Sequence, residues 1–351
     1  MEREKLISQV KGNCDIADAR SWGYFSICGL LLRLRELYRS EHSIEPWEGM
    51  ALEEMSAWIA SKEKIWERLA REDLRPLVID GMRYDPFQVD EVNAALNSHG
   101  LVYGAGYGIF NKPTFFLALL SSKRDLLDYR IYYSGKELCR DISAPVAMLQ
   151  GRCIFMRLEQ LTSLLWGKFQ ELQGKRFGGA LREAYSSFGI GGTEFPSEEL
   201  QRRLSSLSSE ISELLILHEV GEAFEGGQDD AWLSILNREW DRWTEFHLRG
   251  IKDVLADTSE RGPLKYVIDH EERSLFFFYV AMMDGIRKEL FPEMLDAFQH
   301  FSEHRDWSVV ETARIEGYRR ADKLRNDILS LDRRDGEVIK SHLERVKKSG
   351  W

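Results

Sequence analysis

The residues best suited to chemistry lie in one segment, Leu217-His218-Glu219-Val220-Gly221-Glu222, which follows a run of apolar residues. Helical spacing places His218 and Glu222 on the same face, one turn apart. Charged groups beside an apolar run are costly to bury unless a partner compensates them, and a divalent ion held by imidazole and carboxylate is one such partner. We therefore predict that His218 and Glu222 bind a divalent metal (Zn, Fe or Mn), with Glu219 as a nearby acid/base group.

The last residue of this segment distinguishes it from the metallopeptidases. In their His-Glu-x-x-His motif the second histidine binds zinc and the glutamate is the general base. Glu222 takes the place of the second histidine here, which argues against a standard peptidase of that class. The alternative interpretation of the helix is structural, with ion pairs or a buried hydrogen-bonded network in place of a metal.

A second polar cluster, Asp269-His270-Glu271-Glu272-Arg273, directly precedes an aromatic run. Metal ligands in helical bundles often come from several helices. Asp269 and His270 are therefore candidates for the remaining ligands of a site at His218. The alternative is a solvated helix start.

A third polar group, Asn13, Asp15 and Asp18, lies near the N-terminus. Asn and Asp favour positions that cap helices. Residues 12–20 are therefore predicted to form a loop before a helix over about 24–38. Participation of this group in a site is the alternative.

Composition limits the classes of partner. The 351 residues include 48 Lys and Arg against 58 Asp and Glu, for a net charge of −10. This balance disfavours nucleic acids and anionic membrane surfaces. No apolar run approaches the roughly 18 residues of a membrane span, and the four cysteines contain no C-x-x-C pair, which indicates reduced thiols. A cytoplasmic protein with a small-molecule ligand is expected.

The elements that must position these residues fall into three segments. The sequence pattern predicts a helical pair over residues 1–74. Residues 75–157 have the aromatic and alternating pattern of strands, and residues 158–351 are predicted to be helical almost throughout. The predicted fold is mainly α, a multi-helix bundle with a small antiparallel β insertion in the middle, which borders on α+β. The three segments are expected to form one co-operating globular unit.

The middle segment leaves local alternatives open. The glycines of Tyr103-Gly104-Ala105-Gly106-Tyr107-Gly108 lack the full dinucleotide spacing and indicate a turn or a closely packed strand. The aromatic residues between Tyr103 and Phe116 could line a ligand pocket or pack in a core. Pro113–Leu120 is short enough for a buried crossover helix, and 151–157 could be a strand or a helix start.

Several stretches resemble the motifs of one uncharacterised bacterial family. They are Asn13-Cys14-Asp15-Ile16-Ala17-Asp18-Ala19, Tyr103-Gly104-Ala105-Gly106-Tyr107-Gly108, Lys112-Pro113-Thr114-Phe115-Phe116-Leu117-Ala118, Arg140-Asp141 and Leu217-His218-Glu219-Val220-Gly221-Glu222. The resemblance spans most of the chain and implies one co-operating unit, but it supplies no activity and no catalytic residue. It favours a site where the N-terminal acidic segment, the Gly-Tyr segment and the His218 helix meet.

Two functions of different class follow from these observations. The leading hypothesis is a metal-dependent hydrolase or oxidoreductase that acts on a small molecule, with His218 and Glu222 as ligands. The alternative is a non-enzymatic helical scaffold or partner-binding protein, in which the same residues belong to a buried polar network. The substrate and the oligomeric state do not follow from the sequence.

Overall fold

The computed structural model describes residues 2–108, 111–174, 179–191, 198–226, 230–238, 240–331 and 336–349. The chain divides into two compact units, Met1–Trp166 and Gly167–Trp351, which we call the N-terminal unit and the C-terminal unit. The N-terminal unit combines helices with a sheet, and the described part of the C-terminal unit is helical. The protein is therefore mainly α with a β part, as predicted.

The N-terminal unit begins with helices and continues into strands. Its helices are α1 (Arg3–Ser21), α2 (Ile27–His42), α3 (Leu52–Leu69) and α4 (Val89–Leu96), with short 3₁₀ helices at Trp22–Tyr24 and Asn97–His99. Its strands are β1 (Leu77–Ile79), β2 (Met82–Tyr84), β3 (Leu101–Tyr107), β4 (Pro113–Leu126), β5 (Tyr129–Arg140), β6 (Ala147–Gln150) and β7 (Cys153–Arg157). The predicted helical pair corresponds to α2 and α3, preceded by a helix that the sequence did not suggest.

The prediction of a loop at 12–20 is wrong, because these residues form the second half of α1. Leu6, Val10, Cys14 and Ala17 recur at helical spacing and are buried in one core. Asn13 does not cap a helix: its side-chain amide donates to the Arg75 carbonyl oxygen and accepts from the Arg75 backbone N–H, each at 2.8 Å. Tertiary partners thus override the preference of these polar residues for helix ends.

The main sheet has the strand order β3-β4-β5-β7-β6. Its neighbouring strands are antiparallel except for β5 and β7, which run parallel. The expectation of a small antiparallel insertion is therefore wrong in detail, because the sheet has five strands and one parallel pair. The segment 151–157 contains a strand, β7, followed by helix α5 (Leu158–Gly174), which crosses the division between the two units.

The predicted crossover helix at Pro113–Leu120 is also wrong, since this segment is the first half of β4. Its residues Thr114 to Ala118 are all buried, and a strand covered on both faces has the same continuous apolar pattern as a buried helix. Of the two alternatives for the glycine-rich segment, a turn or a closely packed strand, the structure has the strand, β3 at Leu101–Tyr107. A Cβ atom on Gly104 would lie 2.1 Å from the Phe116 ring, so glycine is needed for the packing of β3 against β4.

Three of the aromatic residues between Tyr103 and Phe116 pack in a core, whereas Tyr107 is exposed and Phe110 lies outside the described residues. The core cluster contains the fully buried side chains of Tyr103, Phe115, Phe116, Leu117 and Phe155. It also contains the buried residues of α1 named above, Leu6, Val10, Cys14 and Ala17. The Tyr103 hydroxyl donates to the Pro86 carbonyl oxygen at 2.7 Å. Core packing, the second of the two interpretations, therefore accounts for these side chains.

The C-terminal unit consists of helices in its described part. After α5 they are α6 (Ala180–Ser187), α7 (Glu198–Gly226), α8 (Asp230–Leu236), α9 (Arg242–Thr258), α10 (Pro263–Asp269), α11 (Arg273–Met282), α12 (Gly285–Leu290), α13 (Pro292–His304), α14 (Trp307–Ser330) and α15 (Gly336–Ser349). Phe276 of α11 packs against Phe301 and Trp307, with ring centroids 5.1 and 5.7 Å away. This aromatic core holds α11, α13 and α14 together, and α7 packs against α9.

Candidate metal centre

Helices α7 and α9 bring together three side chains of types that can bind a metal ion. His218 and Glu222 lie one turn apart on α7, and Asp253 projects from α9. Each of the three offers one ligand atom, and these atoms all lie within 4.8 Å of one another. The predicted pair His218 and Glu222 therefore has a third potential ligand, which comes from a neighbouring helix as bundle sites require.

Gly221 allows α7 to pack closely against α9. A Cβ atom on Gly221 would lie 2.3 Å from the Ala256 carbonyl oxygen and 2.9 Å from its carbonyl carbon. Because these are backbone atoms, no side-chain rotation could relieve the overlap. Gly221, between His218 and Glu222, thus has a packing role, and it sets the separation of the two helices that carry the cluster.

The imidazole of His218 is held at both nitrogens. Nδ1 lies 2.7 Å from Asp257 Oδ1, and Nε2 lies 3.2 Å from Glu222 Oε1. Asp257 is 1% exposed, and its Oδ2 accepts from the Tyr279 hydroxyl at 3.0 Å and from the Arg287 guanidinium at 3.3 Å. A buried, doubly anchored carboxylate behind Nδ1 fixes the ring and directs Nε2 toward the cluster, as outer-shell carboxylates do for metal-bound histidines.

Lys252 neutralises part of the acidic charge. Its Nζ lies 2.7 Å from Glu222 Oε2, so that Glu222 contacts Lys252 through one oxygen and His218 through the other. Asp253 differs from its neighbours because it makes no hydrogen bond or ion pair with any described residue. The cluster therefore contains one carboxylate that lacks a direct partner.

The pKa values follow from this arrangement. Burial disfavours the charged imidazole, but Asp257 and Glu222 outweigh it and hold the pKa of His218 well above 6.5. Burial also opposes ionisation of Glu222, yet Lys252 and His218 lower its pKa. The pKa of Asp253 is raised by burial and by Glu222, although His218 acts in the opposite direction. Asp253 is thus the carboxylate whose negative charge would benefit most from an added cation.

The other predicted site residues of the C-terminal unit do not belong to this group of three. Asp269 pairs with Lys265 one turn earlier on α10, and His270 Nδ1 lies 2.9 Å from the Tyr266 carbonyl oxygen. Both Asp269 and His270 are exposed. Glu219 is buried on α7, one residue beyond His218 and therefore about 100° around the helix. The roles predicted for these three residues stay predictions.

Sequence reasoning missed Asp253 and Asp257. Their spacing of four places them on one face of α9, which is the same relation that singled out His218 and Glu222. The Lys252-Asp253-Val254-Leu255-Ala256-Asp257 segment therefore carried a detectable signal. What the sequence did not contain was the information that α9 is the helix facing α7.

The acidic residues near the N-terminus form ion pairs within the N-terminal unit. Lys112 Nζ lies 3.0 Å from Asp18 Oδ1 and 2.9 Å from Asp141 Oδ1, and all three side chains are buried. Burial and the nearby Asp141 raise the pKa of Asp18 to about 6, although Lys112 opposes the shift. Asp15 pairs with Lys62 at 2.8 Å. These contacts join the Asp18, Lys112 and Asp141 motifs in one buried network, and the expected convergence with His218 stays a prediction.

Glu137 of β5 is likewise paired inside the N-terminal unit. It accepts from Arg157 Nε at 2.6 Å and from Gln160 Nε2 at 2.8 Å. The four cysteines are free thiols, as predicted. Cys14 is buried, and burial raises its pKa well above the usual value, so it is unsuited to act as a nucleophile.

The fold and the cluster define a mainly helical protein of two units, the second of which carries a His–Glu–Asp group with the ligand types of a divalent-metal site. The two domains of a family of unknown function (DUF6866) match this chain, the N-terminal domain at residues 5–157 and the C-terminal domain at residues 162–349. The chain belongs to this family, which confirms the resemblance to an uncharacterised family.

Comparison with curated proteins and with solved structures gives no match. Among the described residues, no helix is both long enough and apolar enough to cross a membrane.

Proposed function

We propose that this protein binds one divalent metal ion through His218 Nε2, Glu222 and Asp253. The observation that carries the proposal is Asp253, whose carboxylate has no direct hydrogen-bonding or ion-pair partner among the described residues but lies within 4.8 Å of two other ligand atoms. An ion between the three would compensate this charge. Asp257 supports the proposal as the group that orients His218 from behind.

The ligand set narrows the choice of ion. One imidazole and two carboxylates suit Mn²⁺ or Fe²⁺, and the imidazole also accommodates Zn²⁺. The absence of a thiolate from the set disfavours softer ions such as Cu⁺. We therefore use Mn²⁺ and Zn²⁺ as probes of the site.

We further propose a metal-dependent hydrolase that acts on a small molecule in the cytoplasm. Three protein ligands leave coordination positions for water and substrate, and a divalent ion lowers the pKa of water and polarises the bond to be cleaved. The site is reachable, because the His218 and Glu222 side chains retain 19% and 16% exposure. An oxidoreductase would use the same residues with redox-active iron or manganese.

A structural role is the competing proposal, and one observation favours it. When His218 is protonated, both of its N–H groups have carboxylate acceptors, Asp257 and Glu222, and the same two carboxylates also pair with Arg287 and Lys252. Such a network needs no ion and would stabilise the packing of α7 against α9. The two proposals differ in whether metal binding depends on His218 and Asp253.

Metal titration separates the proposals. Protein prepared without a histidine tag and stripped with EDTA is titrated with Mn²⁺ and then with Zn²⁺ by calorimetry. We expect one ion per chain, and a loss of at least about tenfold in affinity in His218→Ala and in Asp253→Asn, because each removes one of three ligands. His270→Ala, which removes an exposed histidine outside the cluster, is the matched control and should bind as the wild type does.

Two results would reject the metal centre. One is weak or substoichiometric binding in the wild type, and the other is binding that His218→Ala leaves unchanged. For the hydrolase, initial rates on a panel of carboxylic esters and phosphate monoesters are measured with and without Mn²⁺. Hydrolysis that requires the ion and is lost in Asp253→Asn supports an enzyme, whereas stoichiometric binding without any turnover would leave a metal-binding scaffold.

A further inference from the structure

The N-terminal unit contains a cavity of about 510 Å³ between α1, α2 and α3. Its size is within the range of small-molecule sites. Its apolar lining includes two indole rings and three aliphatic side chains: Trp22, Leu30, Leu34, Ile59 and Trp66. Trp22 is 48% exposed, whereas Trp66 and Leu34 are buried. The cavity therefore joins a solvent-accessible aromatic entrance to an apolar interior.

The polar lining residues come from α3. Lys62 is buried, and its Nζ lies 2.8 Å from both Asp15 Oδ1 and Glu41 Oε1. Two carboxylates thus neutralise this ammonium, which leaves it poorly suited to attract an anionic ligand. Lys62 contributes a polar but compensated part of the wall.

Two further carboxylates line the cavity without compensation. Glu63 and Glu67 lie one turn apart on α3, so their side chains project from the same side of the helix. Both are exposed, and neither makes an ion pair or hydrogen bond with any described residue. The exposed part of the lining therefore includes two carboxylates without direct ion-pair partners.

We propose that this cavity binds a small organic cation, an ammonium group carried on an apolar body. Indole faces attract alkylammonium groups, and carboxylates at the entrance add electrostatic attraction. The aliphatic walls remove the apolar body from water. The same features exclude anionic ligands, since Glu63 and Glu67 repel them. The site is distinct from the metal centre and does not depend on it.

Three probes of one shape and different charge test the proposal. The full chain, in buffer with EDTA, is titrated with 3-phenylpropylammonium, 3-phenylpropanol and 3-phenylpropionate. We expect the ammonium to bind about tenfold more tightly than the alcohol and the carboxylate to bind most weakly. A tenfold difference corresponds to about 1.4 kcal/mol, which a cation–π contact and two partly exposed charges can supply together.

Variants then locate the binding site. Glu63→Gln/Glu67→Gln should weaken the ammonium by about threefold and leave the alcohol unchanged, because the charge interaction is removed while the cation–π contact is kept. Glu53→Gln/Glu91→Gln removes the same net charge from exposed positions that do not line the cavity, and it should leave both affinities unchanged. Trp22→Leu should weaken the ammonium more than the alcohol, since leucine keeps apolar contact but has no ring face.

Four results would overturn the proposal. They are equal affinity for the ammonium and the alcohol, tighter binding of the carboxylate, equal weakening by the two double variants, and no binding of any probe at millimolar concentration. Because the substituted positions are exposed, these variants should keep the fold, and thermal melts in the absence of ligand check this. Binding that follows the expected order of charge, with the ammonium weakened only by Glu63→Gln/Glu67→Gln of the two double variants, would establish the site.

Discussion

If the proposed metal binds, His218 is the residue at which protons and metal compete. Without a metal, its two N–H groups donate to Asp257 and Glu222, so the charged imidazole itself occupies the position of a cation. A metal bound at Nε2 must displace that proton while the Asp257 contact at Nδ1 is kept. The same geometry forms an ion-pair network when His218 is protonated and, under the proposed function, would become a ligand set when the proton leaves.

Replacing His218 by Gln should have a pH-dependent effect on the metal-free protein. The pKa of His218 is raised in the folded state above its value of 6.5, so its charge stabilises the fold. This contribution is fully present below about pH 6.5, the unfolded pKa, and is lost as the pH rises through the folded value. Urea unfolding in EDTA at pH 5.5, 7 and 8.5 should show the largest difference between wild type and His218→Gln at pH 5.5.

His270→Gln is the control for this measurement. His270 is exposed, and its Nδ1 contacts the Tyr266 carbonyl oxygen. It does not contact the carboxylates that surround His218. The difference in the free energy of unfolding between wild type and this variant should be small at every pH. A His218→Gln difference that is equally small, or that grows toward pH 8.5, would contradict the ion pairs described for the imidazolium.

At the scale of elements, the contact between α7 and α9 determines the cluster. Gly221→Ala places a Cβ atom where the Ala256 carbonyl oxygen lies 2.3 Å away, so the two helices must separate. Overpacking of this kind costs about 1–3 kcal/mol of stability. Because His218 and Asp253 lie on opposite sides of the contact, the variant should also weaken Mn²⁺ binding, which calorimetry measures alongside urea unfolding.

Gly167→Ala provides the matched control, because Gly167 is helical and has open space around its Cβ position. Alanine has the higher helix propensity, so this variant should be stabilised by roughly 0.5–1 kcal/mol. Its affinity for Mn²⁺ should not change. If Gly221→Ala behaved in the same way, the close approach of α7 and α9 would not control the cluster.

The elements differ in how far the sequence determines them. Periodicity was sufficient for α3 and for the helix that carries His218, because amphipathic helices of this length have a distinctive pattern. It failed for α1, where buried partners hold Asn13, Asp15 and Asp18 inside a helix. It failed for β4 because a continuous apolar run does not distinguish a buried strand from a buried helix.

The candidate site was predictable only in part, because part of it depends on which helices pack together. His218 and Glu222 are neighbours on one helix, so their proximity follows from local geometry. Asp253 and Asp257 reach them through the packing of α7 against α9, which depends on side chains distributed over the whole unit. Periodicity identifies the face of a helix that packs, but it does not identify the helix against which that face packs.

At the scale of the whole molecule, the two units carry separate buried charge networks. Asp141 anchors the network of the N-terminal unit: it accepts from Lys112, from the Thr114 hydroxyl and from the backbone N–H groups of Phe115 and Ser143. His218 and Asp257 anchor the network of the C-terminal unit. The family domains also divide the chain, between residues 157 and 162, close to the division of the compact units.

Calorimetric unfolding of the full chain should therefore show two transitions. Mn²⁺ at 100 times its dissociation constant stabilises the unit that binds it by about 2.7 kcal/mol, so it should raise the melting temperature of one transition. His218→Ala should abolish that rise. Asp141→Asn should lower the other transition, since breaking a buried charge pair costs roughly 3–5 kcal/mol.

The number of transitions distinguishes one co-operating unit from two independent units. The sequence favoured one co-operating globular unit, in which Mn²⁺ and Asp141→Asn would move a single transition in opposite directions. Two independent units require that the Mn²⁺-sensitive transition keep its temperature in Asp141→Asn and that the other keep its temperature when Mn²⁺ is added. A shift of both transitions by either change would show that the stability of one unit depends on the other, because the free energy of binding would then be shared between them.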